Sequence, residues 1–266
     1  MPWDTQSAFE LLQGIGLAAA RLVPCMFLVP AFCFKYLKGP LRYAVVIAVA
    51  LIPAPSISAA LDGQDSNLGW IIGLLFKEVA LGALLGVLLY MPFWMFASVG
   101  ALLDSQRGAL SGGQINPALG PDVTPMGMLF QEAMIMLLMV IGGLPLILQV
   151  IWDSYLIWPP TAWLPTLTQD GLIILLEQLS RTLHHMLLYA APFIAVLLLI
   201  EAVMAIISLY AQQLNVFILA MPAKSIAGIA FLLIYLPTLL ELGSGELQHL
   251  RVISDLLQHI VGVPEP

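Results

Sequence analysis

Six long apolar runs, separated by short polar interruptions, dominate the chain: about 11–34, 43–61, 68–103, 126–157, 184–209 and 215–240. A membrane-spanning helix needs roughly 20 mostly apolar residues, so each run predicts a spanning helix. The third and fourth runs are too long for one straight crossing. At about 1.5 Å per residue each reaches well past a hydrocarbon core of about 30 Å, so it either leaves the bilayer or breaks. Every run carries proline: Pro24 and Pro30, Pro53 and Pro55, Pro92, Pro145, Pro192, then Pro222 and Pro237. An interior proline removes a backbone donor and kinks the helix, so the pattern predicts breaks and bent hairpins. Gly69-Trp-Ile-Ile-Gly73 and Gly82-Ala-Leu-Leu-Gly86 offer surfaces where neighbouring helices approach closely.

Composition narrows the class. Of 266 residues, 61% are hydrophobic and only 9% charged, with a mean hydropathy of +0.98. A soluble domain has about 25% charged residues, so a water-soluble enzyme is excluded. Disorder needs low hydrophobicity and high charge and is excluded too. The expected fold is an all-α membrane protein of kinked helical hairpins, one domain over 1–266. A formal charge of −7 leaves no basic face for nucleic acid. Cys25 and Cys33 have no further ligands nearby, so they read as packing residues and no metal or cofactor is expected. The N-terminus has no basic stretch ahead of its first apolar run, so a cleavable signal peptide is not expected.

Lys35, Lys38 and Arg42 gather three of the nine basic residues between the first two runs. The positive-inside rule puts that loop in the cytoplasm. By alternation the N-terminus, Asp62 and Asp65, the 158–183 connection and the C-terminus lie outside, and the 104–125 loop with Arg107 inside. In the 152–183 segment Trp152, Tyr155, Trp158 and Trp163 suit a lipid–water boundary. Pro159-Pro160 stops the preceding helix. The run from Gly171 to Leu183 either lies along an interface or leads as a capped helix into the fifth run.

Arg21, Lys77, Glu78, Glu132, Glu201 and Lys224 fall inside apolar runs. An ion at a helix centre costs roughly 2.5–3.5 kcal/mol by insertion scales, so these side chains need partners or water. One pair follows from geometry. Glu201 lies about eleven residues before the polar turn at Gln212-Gln213, and Lys224 about eleven after it. In an antiparallel hairpin both sit at the same depth, roughly 17 Å from the tip, and should neutralise one another.

The stretch from Asp104 to Pro125, rich in Gly, Pro, Asn and Ser, continues neither flanking helix. Its length marks it as either a functional loop or a flexible connection. It has no phosphate-cradling Gly-Lys-Ser/Thr. The two readings are a surface connection and a plug able to fold into a pore. Ser111-Gly112 with His184 or His185 raises an intramembrane protease only weakly, because no local signature accompanies it and H-E-x-x-H is absent. An ion-coupled transporter using Glu201 or Glu132 as proton carrier is the stronger alternative, although the internal repetition typical of transporters is not visible.

At these residues the sequence resembles the SctT/FliR/SpaR export-gate family of type III secretion. The blocks are Pro92-Phe93-Trp94, Asp104-Ser-Gln-Arg107-Gly108-Ala109, Asp153-Ser154-Tyr155 with Pro159-Pro160, and Gln212-Gln213-Leu214-Asn215-Val216-Phe217 with Pro222, Lys224 and Ser225. The Asp-x-x-Arg-Gly form resembles injectisome members, a virulence apparatus, more than flagellar ones. The resemblance implies a non-enzymatic inner-membrane subunit. It would form, with SctR- and SctS-like subunits, the pore through which unfolded proteins are secreted. SctU-like and SctV-like proteins, needle and inner-rod subunits, the lipid membrane and the secreted proteins would be its partners. It also implies a gate raised partly toward the periplasm, which removes the flat-bilayer basis of simple alternation.

By the same resemblance the loop matching Arg107–Val123 plugs the closed pore. Gln106, Arg107, Gly108, Ser111, Gly112 and Gly113 would act in the plug, with Asn116, Pro117, Gly120 and Asp122. The glycines would let the loop swing out, and Asp104 and Arg107 would pin its base. Arg21, Glu78, Asp104, Glu132, Glu201 and Lys224 are expected as buried structural charges. Met126, Met128, Met134, Met136 and Met139 would form either a compliant gasket or ordinary core and lipid contacts.

Overall fold

The computed structural model describes residues 5–32, 39–61, 68–108, 124–162, 169–210, 216–253 and Leu257. Among these residues all regular structure is helical. The helices are α1 (Thr5–Leu28), α2 (Pro40–Ala50), α3 (Ala54–Leu61), α4 (Leu68–Gln106), α5 (Pro125–Val140), α6 (Gly143–Ile157), α7 (Gln169–Tyr210) and α8 (Val216–Gln248). Single 3-10 turns follow at Pro30–Phe32 and His249–Arg251. Among the described residues four helices are long and apolar enough to cross a membrane, or six where each of the bent pairs α2/α3 and α5/α6 is one span. These are the six runs of the sequence.

The breaks fall only partly where proline predicts them. α1 ends at Leu28, just before Val29-Pro30, and α2 and α3 are bent by 64° across a break that contains Pro53. The third run does not break. α4 continues for 39 residues through Pro92, about 58 Å of helix, so the overlong run is accommodated by length. Pro24, Pro192, Pro222 and Pro237 likewise sit inside continuous helices. The fourth run does break, but at Ile141–Gly142 and not at Pro145. Gly142 has φ +67, a left-handed conformation that glycine adopts without steric cost. Pro145 falls in the first turn of α6, where its missing N–H leaves no intrahelical bond unmade. α7 is a single helix from Gln169, so residues 171–183 are the lead-in to the fifth run and not a separate interfacial helix.

Two compact units organise the chain. The first comprises Met1–Met91, Gly142–Glu177 and Gln248–Pro266; the second comprises Pro92–Ile141 and Gln178–Leu247. α4 and α7 contribute residues to both. In the first unit, Gly82 and Gly86 let α4 close on α1: a Cβ at Gly82 would strike the Arg21 carbonyl, and one at Gly86 would lie 2.9 Å from Leu28 Cδ1. Gly69 of the first predicted surface meets nothing within 4 Å, whereas both glycines of the second lie against α1. Cys25 is buried and unbridged; Cys33 lies outside the described residues.

In the second unit a Cβ at Gly100 would collide with the Met126 carbonyl, and one at Gly127 would sit 2.9 Å from the Ala97 carbonyl. α4 and α5 therefore cross at backbone distance. Phe193 packs edge-on against Phe231 (5.3 Å between centroids) and Tyr235 (5.2 Å), tying α7 to α8. The methionines divide: Met134 is buried beside Gly243, whereas Met136 and Met139 are exposed.

Candidate functional site

Among the described residues, paired charges and polar side chains within the apolar helices are the chemistry on offer, and four groups of them stand out. The first, in the first unit, centres on Arg21 of α1, whose side chain is 1% exposed. Its Nε donates to Glu78 Oε2 at 2.6 Å, Nη1 to the Ser154 carbonyl at 2.7 Å and to Ser154 Oγ at 3.1 Å, and Nη2 to the Trp158 carbonyl at 2.9 Å. The guanidinium lies over the Tyr155 ring, 4.3 Å from its centroid, and Tyr155 in turn donates to the Ala18 carbonyl. A planar fork with five donors suits this arrangement of one carboxylate and several carbonyls. Beside it, Lys77 Nζ lies 2.9 Å from Glu78 Oε1 and donates to the carbonyls of Pro160 and Ala162, both at 2.7 Å. The α6 C-terminus and the turn after it are thus lined with carbonyl oxygens, where a helix end favours cations. Sequence reading found these charges, but it did not foresee that Ser154, Tyr155 and Pro159-Pro160 are their partners.

The second group, in the second unit, flanks residues 109–123, which the sequence reads as a loop. Asp104 is fully buried near the end of α4. Its Oδ1 pairs with Arg107 Nη2, and its Oδ2 accepts from the Met126 backbone N–H at 2.8 Å. Thr124 caps α5 by accepting from the Gly127 N–H at 3.2 Å. One carboxylate therefore holds residues on both sides of the loop. Gln106 ends α4, and Gly108 turns the chain at φ 75. Ser111, Gly112, Gly113, Asn116, Pro117, Gly120 and Asp122 lie outside the described residues.

The third group is the hairpin pair. Lys224 Nζ donates to Glu201 Oε2 at 2.8 Å, the contact that equal depth predicts. Burial differs from expectation: Lys224 is 13% exposed but Glu201 is 57% exposed, because Glu201 lies on a face of α7 that its own chain leaves open. Glu132 on α5 is only partly buried. The fourth group escaped the sequence. His185 Nδ1 and Tyr189 Oη converge on Glu246 Oε1 at 2.7 and 2.8 Å, with the His185 and Tyr189 rings stacked. No local motif marks it, and Ser111, weighed with His184 or His185 as a nucleophile, lies outside the described residues.

The family model described as bacterial export proteins, family 1, matches residues 12–250. The chain belongs to this SctT/FliR/SpaR export family. Its similarity to Yop proteins translocation protein T of Yersinia pestis is 32% identity over 222 residues, 82% of this chain and 84% of that protein. With surface presentation of antigens protein SpaR of Salmonella typhimurium it shares 31% over 231 residues, 85% and 84% of the two chains. With flagellar biosynthetic protein FliR of Caulobacter vibrioides it shares 21% over 217 residues, 82% and 86%. The injectisome-type members are thus the more similar, as the Asp104–Gly108 block suggests. Family membership and the apolar helices make this a multi-pass membrane protein.

Proposed function

We propose that this export-family chain is a structural subunit of a type III secretion export gate in the bacterial inner membrane. With SctR-, SctS- and SctU-like subunits it would form the pore for unfolded proteins, with the 107–123 loop plugging the closed state. The relatives' names, a translocation protein and a surface presentation protein, support the export role. The observation that carries the plug reading is Asp104: a buried carboxylate bonded to Arg107 and to the Met126 N–H ties both ends of the loop to rigid helices. A gating loop needs such fixed ends, because only then does its middle move as a unit. The uncovered apolar faces of α7 and α8, including Leu199, Ile226, Leu233 and Ile234, agree with a chain completed by lipid and neighbouring subunits.

The test is deletion of residues 108–122 in the gate complex expressed in cells. Leakage of small ions or solutes through the membrane is the expected result. A membrane that stays tight counts against the plug. The transporter alternative, with Glu201 or Glu132 as proton carrier, gains no specific support: Glu201 is engaged by Lys224, and Glu132 is only partly buried.

A further inference from the structure

The turn after α6 has the chemistry of a monovalent-cation site, and we propose that Lys77 fills it as a tethered cation. Three backbone carbonyls converge on Nζ: Pro160 and Ala162 at 2.7 Å and Pro159 at 3.5 Å. Of the ammonium's three protons, two go to the carbonyls at 2.7 Å, and the third faces Glu78 Oε1 and the more distant Pro159 carbonyl. Glu78 Oε1, 2.9 Å from Nζ, supplies the counter-charge. The Trp158 ring, 5.7 Å from Nζ, adds its π face. Three carbonyl oxygens, one carboxylate oxygen and an aromatic face around one positive centre form a cage in which carbonyls replace the hydration shell of a small cation, as in potassium filters.

Two features make the cage a built site and not a chance contact. Pro159 and Pro160 have restricted φ and no N–H, so the segment presents acceptors without competing donors at those two positions. Arg21 holds the adjoining Trp158 and Ser154 carbonyls, which fixes the wall from the other side. Without a cation at Nζ, the three carbonyls and Glu78 Oε1 would face one another with only Arg21, on Glu78 Oε2, to offset them. The role of Lys77 is therefore to supply charge at that point, and its aliphatic stem is only the tether. Lys77 is a positioning residue for the α6 end and the Pro159–Ala162 turn.

The test substitutes Lys77→Met in the full chain, within its native membrane complex, and measures thermal unfolding half-life in detergent. Sodium, potassium and choline chloride are compared at equal ionic strength; choline is too bulky for the cage. In choline the variant should unfold roughly tenfold faster than the parent, and sodium or potassium should recover a large part of that loss by binding the native cage. The parent should respond equally to all three salts. Equal half-lives of the variant in all three salts overturn the proposal, as does a variant as stable as the parent in choline. Where Lys77→Met does not accumulate, Lys77→Arg decides. Accumulation at the parent level supports a requirement for charge at the carbonyls, and failure of both variants overturns it.

Discussion

The charge group around Arg21 and the Glu201–Lys224 pair solve one problem, ions among apolar helices, in opposite ways. Around Arg21 every charge meets its counterpart within the same chain: Glu78 is fully buried, and both Nη atoms reach carbonyls at the end of α6. The hairpin pair is also made within the chain, yet Glu201 stays 57% exposed. A buried ion that is fully hydrogen-bonded belongs to the fold of the chain. One that is paired but uncovered lies on a face that something else must complete. The contrast separates residues whose loss ruins this subunit from residues whose loss is felt at its surroundings.

The largest expected effect breaks the internal side of that contrast. Arg21→Met leaves Glu78 buried with only Lys77 nearby and strands the Ser154 and Trp158 carbonyls. Removing one partner of a buried pair costs about 3–5 kcal/mol, a large part of an ordinary folding stability. The variant chain should fail to accumulate in membranes, as read by immunoblot of the membrane fraction. Arg21→Met with Glu78→Leu should accumulate better than either single variant, because two buried charges leave together. A double variant worse than both singles would show that Arg21 acts through the carbonyls alone.

An intermediate effect belongs to Asp104. Asp104→Asn keeps the shape but removes the charge from its bonds to Arg107 and the Met126 N–H. Hydrogen bonds to charged groups contribute about 1.5–3 kcal/mol each, and the glycine-mediated crossing of α4 on α5 remains intact. The subunit should therefore assemble while its loop base loosens. An ion leak smaller than that of the loop deletion is expected. Wild-type tightness with normal assembly would mean that the helix crossing alone fixes the loop ends.

How much of this was legible in the sequence depends on the range of each interaction. The six runs could be read because hydrophobic length is local. Glu201–Lys224 could be read because a tight hairpin converts sequence distance into depth. His185–Glu246 joins the same two helices, yet His185 lies about 27 residues before the turn and Glu246 about 33 after it. Equal-depth matching passes over such an offset. Arg21–Glu78 spans 57 residues and depends on Gly82 letting α4 settle onto α1, so its register is fixed by a packing contact that spacing does not reveal. The proline breaks misled for a related reason. A missing N–H breaks a helix only when neighbours do not hold it together, and at Pro92 residues on both sides, Leu89, Phe93 and Phe96, are fully buried. Gly142, with its left-handed backbone, set the break instead.

The smallest expected effect sharpens the uncovered side of the comparison. An exposed ion pair contributes about 0.2–1 kcal/mol, but the two partners here are not equally exposed. Glu201→Ala leaves a mostly buried Lys224 ammonium without its counter-ion, whereas Lys224→Ala leaves a carboxylate that already faces its surroundings. If those surroundings are wet or polar, Glu201→Ala should be the more damaging single change. The double variant should then regain part of the loss, as measured by the thermal stability of the detergent-extracted complex. Equal damage from both singles would mean that the face beyond Glu201 is as dry as the site of Lys224, which would place lipid or an apolar subunit surface against α7 at that depth.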